Sequence, residues 1–198
     1  MHSAYLIYLG DLRFTVSLAG AVSAWLLVAH AYRLAAYWCM AVGGAFIAVA
    51  ASKIMYLGWG VQFSLVDFKA ASGHAAGAAA VLPVALYIMA RCYGRTEEYI
   101  ALTTGWLLSI AVACALVVND EHSTSEALAG WSAGAAASAC TWIKMRGAIT
   151  PASRRAFGAA LGTTILLAAC MQVAPVGWWM IKTTLVLSGA QRVHGWND

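Results

Sequence analysis

His122 and Glu126 stand four residues apart where an apolar run begins. If the first turn of that run is helical back to His122, the two share a face. A carboxylate on one imidazole nitrogen fixes the tautomer and leaves the other nitrogen as a nucleophile. A second histidine, His74, follows Ser72-Gly73 at the head of the apolar stretch Ala75 to Ala90. Ser72 suits an N-cap, and Gly73 lets the backbone come close to a ligand. A helix start with free N–H groups is an anion site, and phosphate is the usual anion. Lys53 lies late in an earlier apolar run, where a charge costs about 2.5–3.5 kcal/mol on insertion scales. These are the parts of a metal-free phosphoryl transfer. One imidazole attacks phosphorus, cationic and amide donors hold the equatorial oxygens, and a second imidazole protonates the leaving oxygen. The plainer alternatives are a capped helix with a stray histidine, a snorkelling Lys53 and a Glu126 favoured by the helix dipole.

The elements that must position these groups follow from composition. Of the 198 residues, 62% are hydrophobic and 10% charged, with mean hydropathy +0.74. Soluble domains carry about 25% charged residues, so this composition belongs in a membrane. A span needs about 20 apolar residues. Six stretches qualify, at about 14–32, 35–58, 74–91, 99–118, 124–143 and 156–174. The expectation is an all-α polytopic membrane bundle of about six transmembrane helices, forming a single domain over residues 1–198. Short interfacial segments close both ends: an aromatic Met1 to Gly10, without the pattern of a cleavable signal, and Trp178 to Leu187. Gly130-x-x-x-Gly134 and Gly158-x-x-x-Gly162 have close-packing spacing, and Pro83 interrupts the third span. Cys39, Cys92, Cys114, Cys140 and Cys170 have no metal or redox spacing and read as small core residues.

The net charge of +4 is small, and the basic residues fall in loops, which suits topology and lipid contact and not nucleic acid. Seven of the twelve, Arg33, Arg91, Arg95, Lys144, Arg146, Arg154 and Arg155, follow spans one, three and five. The positive-inside bias puts those loops in the cytoplasm. Lys53, Ser72-Gly73-His74 and the stretch Asn119 to Glu126 then share the external side.

This arrangement resembles the type 2 phosphatidic acid phosphatase superfamily, membrane lipid phosphatases related to vanadium haloperoxidases. The resemblance covers about residues 53–134. Lys53 matches the lysine of that family's first motif. Ser72, Gly73 and His74 match the second, and His122 with Glu126 the third, glutamate standing for aspartate. The resemblance implies that His122 is the nucleophile, forming a phosphohistidine. It makes Glu126 the group that orients it, His74 the general acid, and Lys53 with the Ser72–Gly73 amides the phosphate ligands. No cofactor or metal is implied. The partners are a lipid phosphate or isoprenoid diphosphate and the bilayer. The expected location is a bacterial cytoplasmic membrane, with the site facing the periplasm.

The departures are specific. Gly60 and Val61 stand for the first motif's arginine and proline, Ala71 for the second motif's proline, and Leu116 for the third motif's arginine. Two charge-assisted ligands are thereby missing. Lys69 is a candidate to replace one, and Asn119 can offer a neutral donor. The alternative function is a decayed family member that binds phospholipid or a partner without turnover. A third reading makes His74, His122 and Glu126 metal ligands.

Overall fold

The structure is a computed structural model that describes residues 2–91, 93–147, 154–173 and 175–195. It is a helical bundle. A short α1 (His2–Ile7) and a 3-10 turn lead into α2 (Leu12–Val28), α3 (Tyr32–Trp59), α4 (Gly73–Ala90), α5 (Arg95–Val118), α6 (Thr124–Met145), α7 (Arg154–Val173) and α8 (Val176–Ser188). Each of the six expected apolar stretches is a helix. By length and hydropathy α3, α4 and α5 are able to cross a membrane. The bent pair α7–α8, with 61° between its arms, makes a fourth if taken as one span. At 17 residues α2 is short, and α6 is less apolar because it carries Glu126 and Lys144. The result is an all-α membrane bundle, with three to four strong spans where composition suggested about six.

α4 is the axis of the bundle. Its apolar window is 78% buried, against 28% for α3 and 33% for α5, so its hydropathy serves contact with protein and that of its neighbours serves contact with lipid. Its Ala-rich sequence leaves almost no side chain to hold neighbours off, and α2, α3, α5 and α6 all pack on it. Glycines bring the backbones together. A Cβ at Gly105 of α5 would lie 2.5 Å from Cα of Pro83, and at Gly130 and Gly134 of α6 it would strike the Ser72 and Ala76 carbonyl oxygens. Gly130-x-x-x-Gly134 is therefore a packing face, as its spacing implies. Of the second spacing, only Gly162 has described surroundings. A Cβ at Gly162 would meet nothing within 4 Å, and it is Gly20 of α2 that closes on Thr163 and Leu167 of α7.

The cysteines also depart from expectation. Cys39, Cys114, Cys140 and Cys170 are free thiols exposed on the outside of the bundle, and Cys92 lies outside the described residues. In a bilayer the outer face is as apolar as the core, so an apolar setting in sequence does not place a residue inside.

Candidate active site

One end of the bundle gathers the end of α3, the connection to α4, and the α5–α6 turn. Local rules at the start of α6 explain the geometry there. Ser123 is its N-cap, and Glu126 is the third helical residue of a capping box. The Ser123 hydroxyl accepts from the Glu126 amide at 3.3 Å, and the Glu126 carboxylate reaches back to the Ser123 amide at 3.4 Å. That reach carries Oε2 to Nδ1 of His122, 2.8 Å away. His122 lies just before the helix, yet the pair forms because the box turns the carboxylate backwards.

Oε1 of the same carboxylate accepts from the backbone amides of Lys69 (3.0 Å) and Ala70 (3.2 Å), and the Glu126 carbonyl accepts from the Ser72 amide at 3.0 Å. Glu126, 7% exposed, therefore joins three things: the His122 ring, the α3–α4 connection and the start of α4. Ser125 adds a bond from its hydroxyl to the Asp67 carbonyl (3.2 Å), and the Ser52 hydroxyl on α3 accepts from the Ala71 amide (3.0 Å).

Ser72 caps α4, its hydroxyl accepting from the Ala75 amide at 3.4 Å. It is fully buried, and its own amide serves the Glu126 carbonyl. The first open amides of α4 are those of Gly73 and His74. Lys53 directs its ammonium at this same turn, with Nζ 4.0 Å from where a Cβ on Gly73 would stand. A helix start and a half-buried ammonium thus converge on one point, which is the electrostatics an anion requires.

A cavity of about 500 Å³ opens here, lined by Lys53, Asp67, Lys69, Glu121, His122 and Glu126 among others. His74 opens on an adjoining cavity of about 270 Å³ with Ile7, Tyr8, Asp11 and Glu121. Glu121 lines both. The charged and titratable groups that reach His74 are Asp11, Glu121, Lys53 and His122, so the two imidazoles are within electrostatic range of one another. Among the described residues no three His, Cys, Asp or Glu side chains converge to hold a metal ion.

The PAP2 superfamily pattern matches residues 59–149, a stretch that holds His74, His122 and Glu126. A 22.5 kDa protein from the cps region of Klebsiella pneumoniae, itself described as uncharacterized, is 32% identical over 133 residues. The match covers 67% of this chain and 64% of that relative, less than two thirds of its length. Over residues 59–149 this chain is similar to the PAP2 superfamily. No solved structure gives a significant match. The matched stretch includes Asp67, Lys69, Glu121, His122 and Glu126 of the cavity wall and leaves Lys53 outside.

Of the residues singled out in the sequence, Lys53, Lys69, His122 and Glu126 line one cavity, His74 lines the second, Gly73 faces the Lys53 ammonium, and the Ser72 amide is engaged by the Glu126 carbonyl instead of being open to an anion. Asn119 takes another position. It lies exposed at the end of α5, and its side-chain amide donates to the Ala115 carbonyl at 2.6 Å. Sequence reasoning missed Tyr8, Asp11, Asp67 and Ser52, and placed Glu121 on this side without giving it a role. The opening segment was expected to rest in the interface. Its 3-10 turn closes on α4, where a Cβ at Gly10 would meet the His74 carbonyl oxygen at 2.6 Å. The available signal was Asp11 capping α2, with its side chain accepting from the Arg13 amide at 2.7 Å. The left-handed backbones of Asp67 (φ 48°) and Asp120 (φ 56°) mark tight turns at the cavity rim.

Proposed function

We propose that this protein is a metal-independent lipid phosphate phosphatase acting at the external membrane face through a phosphohistidine. The observation that carries the reading is the 2.8 Å contact between Nδ1 of His122 and the buried Glu126 carboxylate, at the wall of a cavity that also holds two lysines. With Nδ1–H donating to Glu126, Nε2 keeps its lone pair. Nε2 attacks phosphorus and forms an N–P bond as the P–O bond to the lipid breaks. His74 delivers a proton to the departing lipid oxygen. Water then attacks the phosphohistidine, giving its proton to His74 and releasing phosphate and His122 in their starting states. Lys53 and the Gly73 and His74 amides stabilise the equatorial oxygens. Lys69 adds a second cation, in place of one motif arginine.

The substrate is an amphiphile with a phosphate or diphosphate head, because the cavity lies at the end of membrane helices. The positive-inside bias directs that end outward, to the periplasm of a bacterial cytoplasmic membrane. The test is phosphate release from a panel of lipid phosphates and isoprenoid diphosphates, wild type beside His122→Ala. Release that vanishes in His122→Ala supports the reading. No release by the wild type on any substrate would favour a member that binds phospholipid without turnover.

A further inference from the structure

A chain of contacts reaches the cavity from far along the sequence. α8 packs beside α3, with Thr184 and Ser188 side chains 3.1 and 3.2 Å from the Cβ position of Gly58. α8 ends at Gly189 in the left-handed region (φ 68°), which turns the following residues across the end of α3. There the His194 amide donates to the Leu57 carbonyl at 2.9 Å, one of the carbonyls a helix leaves open in its last turn. The His194 ring lies on Gly60, its atoms 3.2–3.5 Å from where a Cβ would be. Gly60 is itself left-handed (φ 66°), so a side chain there is disfavoured twice.

The next residue completes the link. The Tyr56 hydroxyl donates to the Gly195 carbonyl at 2.7 Å, and Tyr56 is 2% exposed. Over the Tyr56 ring stands Nζ of Lys69, 5.5 Å from its centroid. Lys69 lines the large cavity, and its backbone amide holds Glu126. Lys53 and Tyr56 are three apart on one face of α3, and the helix ends at Trp59, just before the Gly60 that lies under the His194 ring.

We infer that the segment Gly189–Gly195 is part of the substrate site: it fixes Tyr56, and Tyr56 seats the Lys69 ammonium at the cavity. Tyr56 and His194 are positioning residues for the contact between Lys69 and the substrate phosphate. A ring held in one orientation orders a long, flexible ammonium before the ligand arrives, and preorganisation of this kind appears in binding. The inference rests on the phosphate site proposed above for the role of Lys69, but its structural half is testable without turnover.

The variants are Tyr56→Phe, which keeps the ring and removes the hydroxyl, His194→Ala, and deletion from Gly189 onward. In purified protein reconstituted in vesicles, amine acetylation is followed by mass spectrometry at Lys69 and at the remote, exposed Lys144. Lys69 is expected to react about threefold faster or more in each variant, with Lys144 unchanged. With a lipid phosphate substrate, KM is expected to rise about 5- to 10-fold with kcat within about twofold, the signature of lost uniform binding. In a Lys69→Ala background the same changes should add nothing further. Unaltered Lys69 reactivity in both Tyr56→Phe and His194→Ala overturns the inference, and so does a KM effect that is additive with Lys69→Ala. Were the wild type to release no phosphate, the acetylation rates alone would decide, and the phosphatase reading would fail separately.

Discussion

Replacing Glu126 by glutamine isolates the proton arrangement from the shape of the site. The carboxylate meets donors at both oxygens: Lys69 and Ala70 amides on Oε1, His122 Nδ1 and the Ser123 amide on Oε2. Glutamine must turn its NH₂ toward one side or the other. Facing Lys69 and Ala70, it sets a donor against two fixed backbone donors, each costing about 1–3 kcal/mol when left unsatisfied. Facing His122, it opposes only the long Ser123 bond, and the imidazole can respond by moving its proton to Nε2. The second arrangement wins, and it removes the nucleophilic lone pair. The expected fall in kcat is about 10²- to 10⁴-fold, or roughly 2.7–5.4 kcal/mol of barrier. KM should change by less than about threefold, because Lys53 and the α4 amides are untouched. The assay is steady-state phosphate release by Glu126→Gln, with thermal unfolding of the purified protein beside it. Loss of the ionised acceptor should also lower stability by about 1–3 kcal/mol, since hydrogen bonds to charged groups are the strong ones. A variant that keeps more than about a tenth of kcat while folded would refute the assignment of His122 as a nucleophile oriented by Glu126.

Other perturbations separate binding from chemistry and from packing. Lys53→Met keeps the length of the stem and removes the charge at the α4 start; KM for a lipid phosphate should rise about tenfold or more, and binding of inorganic phosphate should weaken in parallel. Gly134→Val drives its Cβ into the Ala76 carbonyl and should destabilise the bundle by about 3 kcal/mol or more, read as a lower unfolding temperature in detergent with little expression of folded protein. Turnover should survive chelators and be inhibited by vanadate, which mimics five-coordinate phosphorus; a strict requirement for a divalent ion would contradict the reaction as written.

How much of the fold was legible depended on which solvent each residue faces. Six helices were readable because a run of about 20 apolar residues has few alternatives in lipid. The role of α4 was not readable. Its composition resembles that of a lipid-facing span, and only the glycines on its partners, Gly105, Gly130 and Gly134, show that other backbones lie against it. Gly158-x-x-x-Gly162 has the same spacing as Gly130-x-x-x-Gly134, yet Gly162 touches nothing within 4 Å. Spacing permits a close approach but does not say that a partner is there. The exposed cysteines make the same point from the opposite side, since lipid accepts a thiol as readily as a core does.

The site was legible where charge had no cheap place to go. Lys53 and Glu126 sit in apolar runs, and each is costly unless paired, so both had to face something polar. The capping box adds a local reason that sequence alone does contain. Ser123 followed three residues later by Glu126 aims a carboxylate backwards, toward whatever precedes the helix, and here that residue is His122. The helix-dipole reading of Glu126 and the catalytic reading are thus one geometry, because the same backward reach serves both. Asp11, Tyr8 and His194 carry no comparable signal. They lie in short segments near the two ends of the sequence, and their positions depend on tertiary closures, Gly10 on His74 and Gly60 under the His194 ring, that no local pattern encodes. Both closures use a glycine to let distant backbone or side chain reach α4, which carries His74, and the end of α3, which carries Lys53. A larger residue at Gly10 should therefore disturb the surroundings of His74, and one at Gly60 those of Lys69, each without touching the His122–Glu126 pair.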